Sequence, residues 1–510
     1  MRAQTPSFVV SVKLLLPEQV QNHLEKSFRI ANSAYNEALS FGLRRFEAMK
    51  QNHSYQEFLE ARRKLFAKSE EEQKTKEFKT QKKEIDSVLA KIRKAYSLTE
   101  YGLSGYLGRQ RRKPNSVYLH LSAGELQVIA SHVMKTLEKV IFYQIKPHKV
   151  RFRSKYGIDM SFRNRVNTES TRLMKSNKTG IAYRLYIHKR STFVDIPVKA
   201  FNTYQQMSLL RSNRIKYVQI IRKIIRGKKV YYLQIVCDGY PPTKTSKGEG
   251  VVGIDPGIST VAYATSNKVA LVDLVPRNIN QKEKLLKSLD RRIKRSRRAN
   301  NPDCYNENGT IKKGCRFKRL SNRALRLQNR RRKVYRSVSE ERKKLQGELI
   351  NQLVSTVSVI KMEELNVKGL QKRAKDIRIN PKTNRPFSKK RFGKSIFRVA
   401  PSAFREALKT RASQLGIEVI MISPKDMKPS QYNHILQTFE KKPLSTRIFD
   451  LSPEWTGLQR DLYSAFLIGH IENNKYKQTK LEQDFPKFYQ LMKDFLQQAP
   501  QTSRLAWYLS

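Results

Sequence analysis

Three acidic side chains of this chain, Asp255, Glu363 and Asp461, stand at positions where carboxylates could do chemistry. Brought to one point, three such groups can hold two Mg²⁺ or Mn²⁺ ions about 3.5–4 Å apart. One ion would activate a water for in-line attack on a phosphorus atom, and the other would stabilise the leaving oxygen. The set therefore predicts metal-dependent hydrolysis of phosphodiester bonds.

Each of these acids also has a simpler interpretation when it is taken alone. Asp255 precedes a Pro-Gly pair, and an aspartate in that place more often belongs to a turn than to a site. Glu363 and Asp461, taken singly, are more often surface groups in salt bridges. The prediction of chemistry therefore depends on whether the fold brings the three together.

Local sequence patterns predict the elements that must position these acids. Two apolar runs, 251–254 and 261–264, flank a Pro-Gly pair and predict strand, tight turn and strand. The β-branched run 356–360 predicts a buried strand just before Glu363. Asp461 falls on a predicted helix whose small Ala465, one turn further on, lets another backbone approach closely.

The composition of the chain points to a polyanionic partner. Its 510 residues include 103 Lys and Arg against 43 Asp and Glu, which gives a formal net charge of +60. Such an excess would repel itself in a free chain, so nucleic acid is the favoured partner. A membrane-surface protein is disfavoured because the charge is spread along the chain, and a basic ribosome-associated scaffold is the alternative without chemistry.

Cysteine usage and hydropathy exclude several protein classes. Cys237, Cys304 and Cys315 form no CxxC pair and have no paired histidines, so we expect neither a disulfide framework nor a zinc site. No stretch approaches the roughly 20 apolar residues that a membrane helix needs. We therefore expect no membrane partner and a cytoplasmic, nucleoid-associated protein.

The first half of the chain combines strands with helices. Apolar residues at helical spacing predict helices from residue 18 through residue 98 and again over 122–143. Glycines 102, 105 and 108 and the basic run 109–114 predict a loop between them. Strands are predicted at 7–16, 150–153, 183–188 and 193–198, and a hairpin at 217–236.

The second half begins after the linker 239–250, which is the strongest predicted domain boundary. Residues 281–344 hold 24 Lys and Arg against 6 Asp and Glu. Their apolar positions predict two long basic helices that are joined by a loop near 300–314. Such a hairpin suits a channel for nucleic acid, although basic helices that bind without specificity explain it almost as well.

Three short motifs carry a resemblance to a known family. They are Gly-Ile-Asp-Pro-Gly (253–257), Met-Glu-Glu-Leu-Asn-Val-Lys-Gly-Leu (362–370) and Arg-Asp-Leu-Tyr-Ser-Ala (460–465). Together they resemble the three motifs of a split RuvC nuclease domain, in an order and spacing similar to those of the TnpB family. Members of that family are transposon-encoded relatives of the type V CRISPR effectors. Residues 34–39 and 416–420 also resemble family patterns, so the resemblance covers most of the chain.

The resemblance implies a function and a set of site residues. It implies an RNA-guided DNA endonuclease that reads a short flanking motif and cuts guide-matched double-stranded DNA in a single RuvC site. Asp255, Glu363 and Asp461 match the three metal ligands, and Glu364 is the neighbour that does not bind metal. The cofactor would be Mg²⁺ or Mn²⁺, with two ions, and the partners a transposon-end guide RNA and a DNA target. No small-molecule substrate is expected.

Two departures from the family pattern stand out. Residues 429–435 contain no cysteine where the family usually carries CxxC pairs, which predicts a degenerate, metal-free ribbon over about 424–457. Tyr463-Ser464 replaces a usual Asn-Ala. These departures keep open two alternatives: an RNA-guided repressor without nuclease activity, and a guide-independent nuclease or resolvase with the RNase H fold.

The predicted architecture is a multidomain α/β protein. A β-barrel-like wedge domain takes 1–16 and 147–245, and a helical recognition domain is inserted at 17–146. An RNase H-like RuvC nuclease domain takes 246–510 and carries a basic helical insert at 281–350.

Overall fold

A computed structural model of the chain describes most of its 510 residues. The described residues are 5–67, 72–142, 145–154, 160–176, 183–189, 192–198, 202–210, 212, 214–243, 245–315, 317, 320–370, 379–380, 385–386, 393–443 and 446–498. The chain divides into two compact units, Met1–Pro242 and Thr243–Ser510. Their boundary falls inside the segment 239–250 that the sequence predicts as a linker. The finer division into wedge and recognition domains stays a prediction.

The first unit mixes helices and strands. Its elements in chain order are β1 (Ser7–Leu14), α1 (Glu18–Lys50), α2 (His53–Phe66), α3 (Lys76–Ala95), α4 (Glu100–Arg112), α5 (Ala123–Ile141), β2 (Met160–Arg163), β3 (Thr171–Lys175), β4 (Tyr183–Lys189), β5 (Thr192–Val198), α6 (Thr203–Leu210), β6 (Ile215–Ile225) and β7 (Lys228–Asp238).

Two apolar cores lie inside this unit, and helix α1 contributes to both. Strands β1, β7, β6 and β2 form one sheet in that order, and β3, β4 and β5 form another. Strand β1 alternates exposed and buried residues along its whole length, as a strand with one covered face does. Leu24 and Phe28 of α1 pack among the strand residues, whereas Ala34 and Leu39 pack with α4 and α5.

Several elements of the first unit confirm the sequence predictions. The helix predicted over 122–143 is α5, and Ser122 and Glu125 form a reciprocal capping box at its start. The predicted hairpin is the β6–β7 pair, whose turn residues Arg226 and Gly227 have φ values of 51° and 80°. Two positive φ angles are what a tight two-residue hairpin turn requires.

Two predictions for this unit are wrong. Residues 102–112 are not a loop but belong to helix α4, because Thr99 caps the helix and Leu103 and Leu107 are buried one turn apart. Residues 150–153 alternate apolar and basic side chains but pair with no strand of the described chain. Their backbone is bound instead by side chains of α1, as described below.

The second unit is built on a mixed sheet. Its elements are β8 (Val251–Pro256), β9 (Thr260–Ala264), β10 (Val269–Asp273), α7 (Ile279–Ala299), α8 (Asn322–Val354), β11 (Val359–Glu363), α9 (Val367–Leu370), β12 (Ile379–Asn380), β13 (Arg385–Pro386), α10 (Gly393–Val399), α11 (Pro401–Leu415), β14 (Glu418–Ile422), β15 (Tyr432–Asn433), β16 (Thr438–Phe439), β17 (Ile448–Phe449), β18 (Leu458–Gln459), α12 (Arg460–Gly469), β19 (Ile471–Glu472), β20 (Lys475–Tyr476) and α13 (Gln478–Gln498).

The order of strands in the central sheet is β10-β9-β8-β11-β14. Strands β8, β9 and β10 are antiparallel neighbours, and β11 runs parallel to both β8 and β14. The strand predicted at 356–360 is confirmed in type but begins later, at Val359. Thr356 instead lies just after α8 and caps its last turn, since its Oγ1 donates to the Leu353 carbonyl at 2.9 Å.

The two predicted basic helices are α7 and α8. Leu289, Ile293 and Leu327 are buried between them, with Leu285 and Val334 packed alongside. Arg331 forms an ion pair with Asp290 at 2.9 Å across the same contact. The apolar spacing in the sequence therefore predicts this helical hairpin correctly.

Cysteine pairing differs from the prediction. Cys304 and Cys315 form a disulfide in the loop between α7 and α8. Two cysteines eleven residues apart carry no sequence signature of pairing, but the bridge between Tyr305 and Ile311 folds the loop back on itself.

Across the described ranges, no helix is long and apolar enough to cross a bilayer.

Candidate active site

Asp255 lies at the end of strand β8, where the strand leaves the core of the second unit. Val252 and Ile254, on the same strand, are fully buried. Asp255 itself is partly exposed and pairs in the sheet with Ala262 of β9. The predicted strand, turn and strand around this acid are confirmed.

Gly253 allows helix α12 to lie directly on strand β8. A Cβ atom at Gly253 would stand 2.0 Å from the carbonyl oxygen of Ala465 and 2.4 Å from the backbone nitrogen of Gly469. Backbone atoms cannot move away as a flexible side chain can, so residue 253 has no space for a side chain. The predicted close approach at Ala465 is confirmed, and its partner is the strand that carries Asp255.

Glu363 is the last residue of strand β11, beside Asp255. The parallel register pairs Met362 with Ile254, so the next position on each strand brings Glu363 level with Asp255. Neighbouring strands lie about 4.8 Å apart, and residues in register on parallel strands share a face. Glu364 is exposed, and its backbone N–H donates to the Ile422 carbonyl at 2.9 Å.

Asp461 is the second residue of helix α12. The Gln459 side chain caps this helix by accepting a hydrogen bond from the Leu462 N–H at 2.7 Å. Two arginines hold the Asp461 carboxylate. Arg460 Nη2 lies 3.0 Å from its Oδ1, and Arg447 Nη1 lies 3.4 Å from its Oδ2.

The pKa values of the two strand acids, Asp255 and Glu363, are both raised, and electrostatic repulsion between carboxylates contributes to the shift at Asp255. Burial raises the pKa of Asp255 well above its usual range, and the charges of Glu363 and Asp461 raise it further, against the opposing effect of Arg460. Burial also raises the pKa of Glu363 to about 7. Carboxylates that share a buried site resist ionising together, and a cation between them removes that penalty.

The three acids fit a divalent metal in chemistry, but they are not arranged as a complete ligand set. Carboxylate oxygens suit a hard cation such as Mg²⁺. Within the described ranges, however, no three His, Cys, Asp or Glu side chains are grouped so that they could hold one metal ion. Asp461 would have to exchange its arginines for the metal. Metal binding at Asp255, Glu363 and Asp461 therefore stays a prediction.

Sequence reasoning missed the basic residues of this site. Arg460 stands next to Asp461 in the third motif, which is a usable signal. Arg447 lies fourteen positions earlier, and only the fold reveals it, because its carbonyl accepts a hydrogen bond from the Arg460 N–H at 2.9 Å. Lys361, two residues before Glu363, was also missed: its side chain is only 5% exposed and donates to the Gly469 carbonyl at 3.0 Å, so it joins β11 to the end of α12.

Tyr463, one of the departures from the family pattern, has a structural partner in the cysteine-free region. Its hydroxyl lies 2.8 Å from Nδ1 of the buried His434 and accepts from the His434 N–H at 3.3 Å. Asn433, in the same segment, donates to the Leu451 carbonyl at 3.3 Å. Polar contacts and aromatic packing therefore connect residues 432–434 to helix α12.

Comparison with known proteins finds only weak structural similarity and no match in sequence to a family or a curated protein. Among solved structures, a cryo-EM structure of a Cas12f1–sgRNA–target DNA complex has 13% identity and a TM-score of 0.41, covering 91% of this chain and 99% of that one. A CRISPR-Cas12f ternary complex has 13% identity and a TM-score of 0.28, covering 90% and 83%.

A third solved structure, a Cas12i1 R-loop complex before target DNA cleavage, has 9% identity and a TM-score of 0.27, covering 94% of this chain and 65% of that one. These values are too low to establish a shared function. The function proposed below is therefore derived from the chain's own motifs, charge and carboxylates.

Proposed function

We propose that this protein is an RNA-guided DNA endonuclease that hydrolyses phosphodiester bonds at a single site formed by Asp255, Glu363 and Asp461. The observation that supports the proposal is electrostatic: the charges of Glu363 on β11 and Asp461 on α12 both raise the pKa of Asp255 on β8. The two strand acids lie side by side with raised pKa values, and Asp461 adds its charge to theirs. A divalent cation would stabilise such neighbouring carboxylates in their ionised form, and divalent cations serve phosphoryl transfer.

The topology of the second unit supports an RNase H-like nuclease domain. Three antiparallel strands are followed by two parallel ones, and β8, the first strand of this unit, lies in the middle of the sheet. The parallel strands β8 and β11 end at the same edge, which is where Asp255 and Glu363 lie. Ligands of open α/β sheets bind outside the carboxyl ends of their parallel strands.

The residues of the chain have distinct tasks in this proposal. Asp255 and Glu363 would hold Mg²⁺ or Mn²⁺ once both are ionised, and Asp461 would complete the set. Metal held there would supply water activation and stabilisation of the leaving oxygen. Arg447 and Arg460 exchange the Asp461 carboxylate for the scissile phosphate, since a guanidinium binds both anions in the same bidentate geometry.

Guide RNA and target DNA are the proposed partners. The net charge of +60 exceeds what one folded chain needs for solubility, and bound nucleic acid would neutralise part of it. The proposal that RNA supplies sequence recognition rests on the resemblance of the three motifs to the TnpB family. In such an arrangement the protein binds the backbone and shape of the heteroduplex.

One observation favours a second candidate function. Asp461 is already neutralised by Arg447 and Arg460, and an acid satisfied in this way does not require a metal. The same chain would then bind its target without cutting it, as an RNA-guided repressor. The distinction rests on whether Asp461 leaves its arginines when divalent cations and DNA are present.

The test is cleavage of a guide-matched DNA duplex by the protein with its co-purified RNA and Mg²⁺. We expect Asp255→Asn to slow cleavage by about a thousandfold or more, which is about 4 kcal/mol of barrier, with DNA binding retained. Glu364→Gln is the matched control, because it removes a neighbouring exposed acid, and it should change the rate by less than about threefold.

The alternatives give different results in the same experiment. Target binding without cleavage by the unaltered protein would favour the repressor. Cleavage that persists after the RNA is removed would favour a guide-independent nuclease. Equal cleavage by the unaltered protein and Asp255→Asn would disprove the proposed site.

A further inference from the structure

A cavity of about 290 Å³ lies in the first unit. It opens between helices α1 and α5, the segment 150–154, and strands β2 and β6. Its apolar wall includes Val128, Ile129 and Phe162. This volume is at the lower end of the range for small-molecule sites, about 300–1,000 Å³. The cavity therefore suits a group no larger than about one nucleotide.

The segment that carries Arg153 is fixed to helix α1. The Asn36 side chain makes two hydrogen bonds to the Arg153 backbone, donating to its carbonyl and accepting from its N–H, each at 2.7 Å. Asn32, one turn earlier, donates to the Ser154 carbonyl at 2.9 Å. These bonds replace a strand ladder and hold Arg153 at the cavity.

Arg153 itself is a partly buried cation that rests on an aromatic ring. Its guanidinium carbon lies 3.7 Å from the centre of the Tyr35 ring, so it stacks on the aromatic face. Burial lowers the pKa of Arg153, and among the described residues no carboxylate lies within ion-pair distance of its guanidinium. A desolvated charge of this kind is costly unless a ligand pairs with it.

Arg163 stands at the same cavity in a matching arrangement. Its guanidinium carbon lies 4.0 Å from the Tyr217 ring centre, and Nη1 donates to the Asn164 carbonyl at 3.5 Å. The neighbouring strand places Gln219 beside it, since Arg163 and Gln219 are cross-strand partners. Two arginines that are oriented by tyrosine rings form a prepared anion site.

Two other titratable groups line the cavity, His132 and Glu125. Burial first, and then the charges of Arg153 and Arg163, lower the pKa of His132 to about 4, so the ring is neutral near pH 7. Oε2 of Glu125 accepts a hydrogen bond from the Ser122 N–H at 2.9 Å. Since Glu125 offers a single negative charge against two guanidinium groups, the net charge of the cavity lining stays positive.

We propose that this cavity binds one unstacked nucleotide of a nucleic-acid strand, with its phosphate on Arg153 and Arg163. The base packs against Ile129 and Phe162, and Gln219 offers hydrogen bonds to its edge. The identity of the partner as nucleic acid rests on the proposed function, whereas the anion site does not. Because the cavity lies in the first unit, its occupancy is separable from cleavage.

The test is calorimetric titration of the full chain with adenosine 5′-monophosphate in EDTA, where no cleavage occurs. We expect one binding site, and Arg153→Gln should weaken binding about tenfold or more, as loss of a charged hydrogen bond does. The matched control is Arg45→Gln, because exposed Arg45 also stacks on a ring of α1, at 5.4 Å from Phe41, but lies outside the cavity. It should change binding by less than about twofold.

Further probes separate the parts of the nucleotide and its source. Adenosine alone and inorganic phosphate alone should each bind more weakly than the monophosphate, and equal binding of phosphate would overturn the nucleotide assignment. The strand that fills the cavity is either guide RNA or target DNA. For that strand, Arg153→Gln should reduce the slope of log affinity against log salt concentration by about one. Equal loss in Arg153→Gln and Arg45→Gln would overturn the site.

Failure here and failure of the nuclease proposal are distinguishable. Asp255→Asn should bind adenosine monophosphate as the unaltered protein does, since Asp255 belongs to the second unit. Loss of nucleotide binding in Asp255→Asn would mean that binding depends on the second unit, and it would overturn the cavity as the site.

Discussion

The two units hold buried charge of opposite sign, and they handle it differently. In the second unit, Asp255 and Glu363 lie side by side on parallel strands. Arg447 and Arg460 form their ion pairs with Asp461. In the first unit, Arg153 and Arg163 face a cavity and are stacked on tyrosine rings. Asp255 and Glu363 have raised pKa values, while the two arginines rest on aromatic rings.

The comparison teaches that a buried charge is informative only together with what surrounds it. Asp461 is buried to a similar degree as its neighbours, but its arginines satisfy it. Asp255, Glu363 and Arg153 are destabilised by their surroundings, which a ligand of opposite charge would relieve.

The largest expected effect concerns the contact that brings the acids together. Gly253→Val would force α12 away from β8, since even a Cβ atom would meet backbone at 2.0 Å. We expect a loss of about 3 kcal/mol or more in the free energy of unfolding, at or beyond the usual cost of overpacking, together with loss of cleavage. Thermal unfolding and the cleavage rate measure both.

The control for this prediction is another glycine of the same unit. Gly347 lies in helix α8, and among the described residues nothing stands within 4 Å of the place that a Cβ atom would take. Gly347→Ala should therefore stabilise the protein by up to about 1 kcal/mol. A Gly253→Val protein as stable and active as Gly347→Ala would show that Asp255 and Asp461 do not need this close approach.

An intermediate effect is expected from neutralising one acid. The folded pKa of Glu363 is about 7, above its unfolded value near 4.3, so the native state binds more protons between these pH values. Metal-free stability should therefore fall as the pH rises through this window. Glu363→Gln removes this loss of stability. In EDTA at pH 8, its melting temperature should therefore exceed that of the unaltered protein by several degrees, because each kcal/mol of unfolding free energy shifts the melting temperature by about 2–4 °C.

The difference should vanish near pH 4, where Glu363 is protonated in both states. Adding Mg²⁺ should reverse the order at pH 8, because only the unaltered protein gains a full ligand set. Glu364→Gln should show neither behaviour. A melting difference that is independent of pH would mean that Glu363 is not held as an unfavourable charge.

The smallest effect is expected from the corresponding change in the first unit. Arg153→Gln removes a desolvated charge but also a stack on Tyr35 that is worth about 0.5–2 kcal/mol, so the two changes should nearly cancel. We expect the free energy of unfolding to change by less than about 1 kcal/mol while nucleotide binding is lost. Denaturant unfolding would check it, and a loss of several kcal/mol would make Arg153 a structural residue.

Local patterns predict the elements of the site well. The turn residues around Asp255 and the apolar spacing of α7 and α8 depend on neighbours in sequence, and both are confirmed. The predicted start of strand β11 is three residues too early. Thr356 and Val357 are β-branched and suit a strand, but they follow directly on the end of α8, where the Thr356 hydroxyl caps the Leu353 carbonyl.

Contacts between distant segments could not be predicted. Arg447 reaches Asp461 only because strands β17 and β18 pair, and two-residue strands have no periodicity to recognise. The sequence predicts Arg153 on a strand because its segment alternates apolar and basic residues. The backbone of its segment instead forms hydrogen bonds with the side chains of Asn32 and Asn36. Neither segment alone indicates which side chains will bind a backbone that is distant in sequence.

Helix α8 has a mechanical consequence. At 33 residues it is about 50 Å long, and it runs without interruption from the disulfide-bridged loop to the turn before β11. Its final turns, with Leu349 and Leu353, are packed in the core of the second unit, whereas Leu327 near its start packs with the α7 hairpin cluster. A continuous helix transmits tilt along its length, so a load on the basic hairpin acts as a lever on the strand that ends in Glu363.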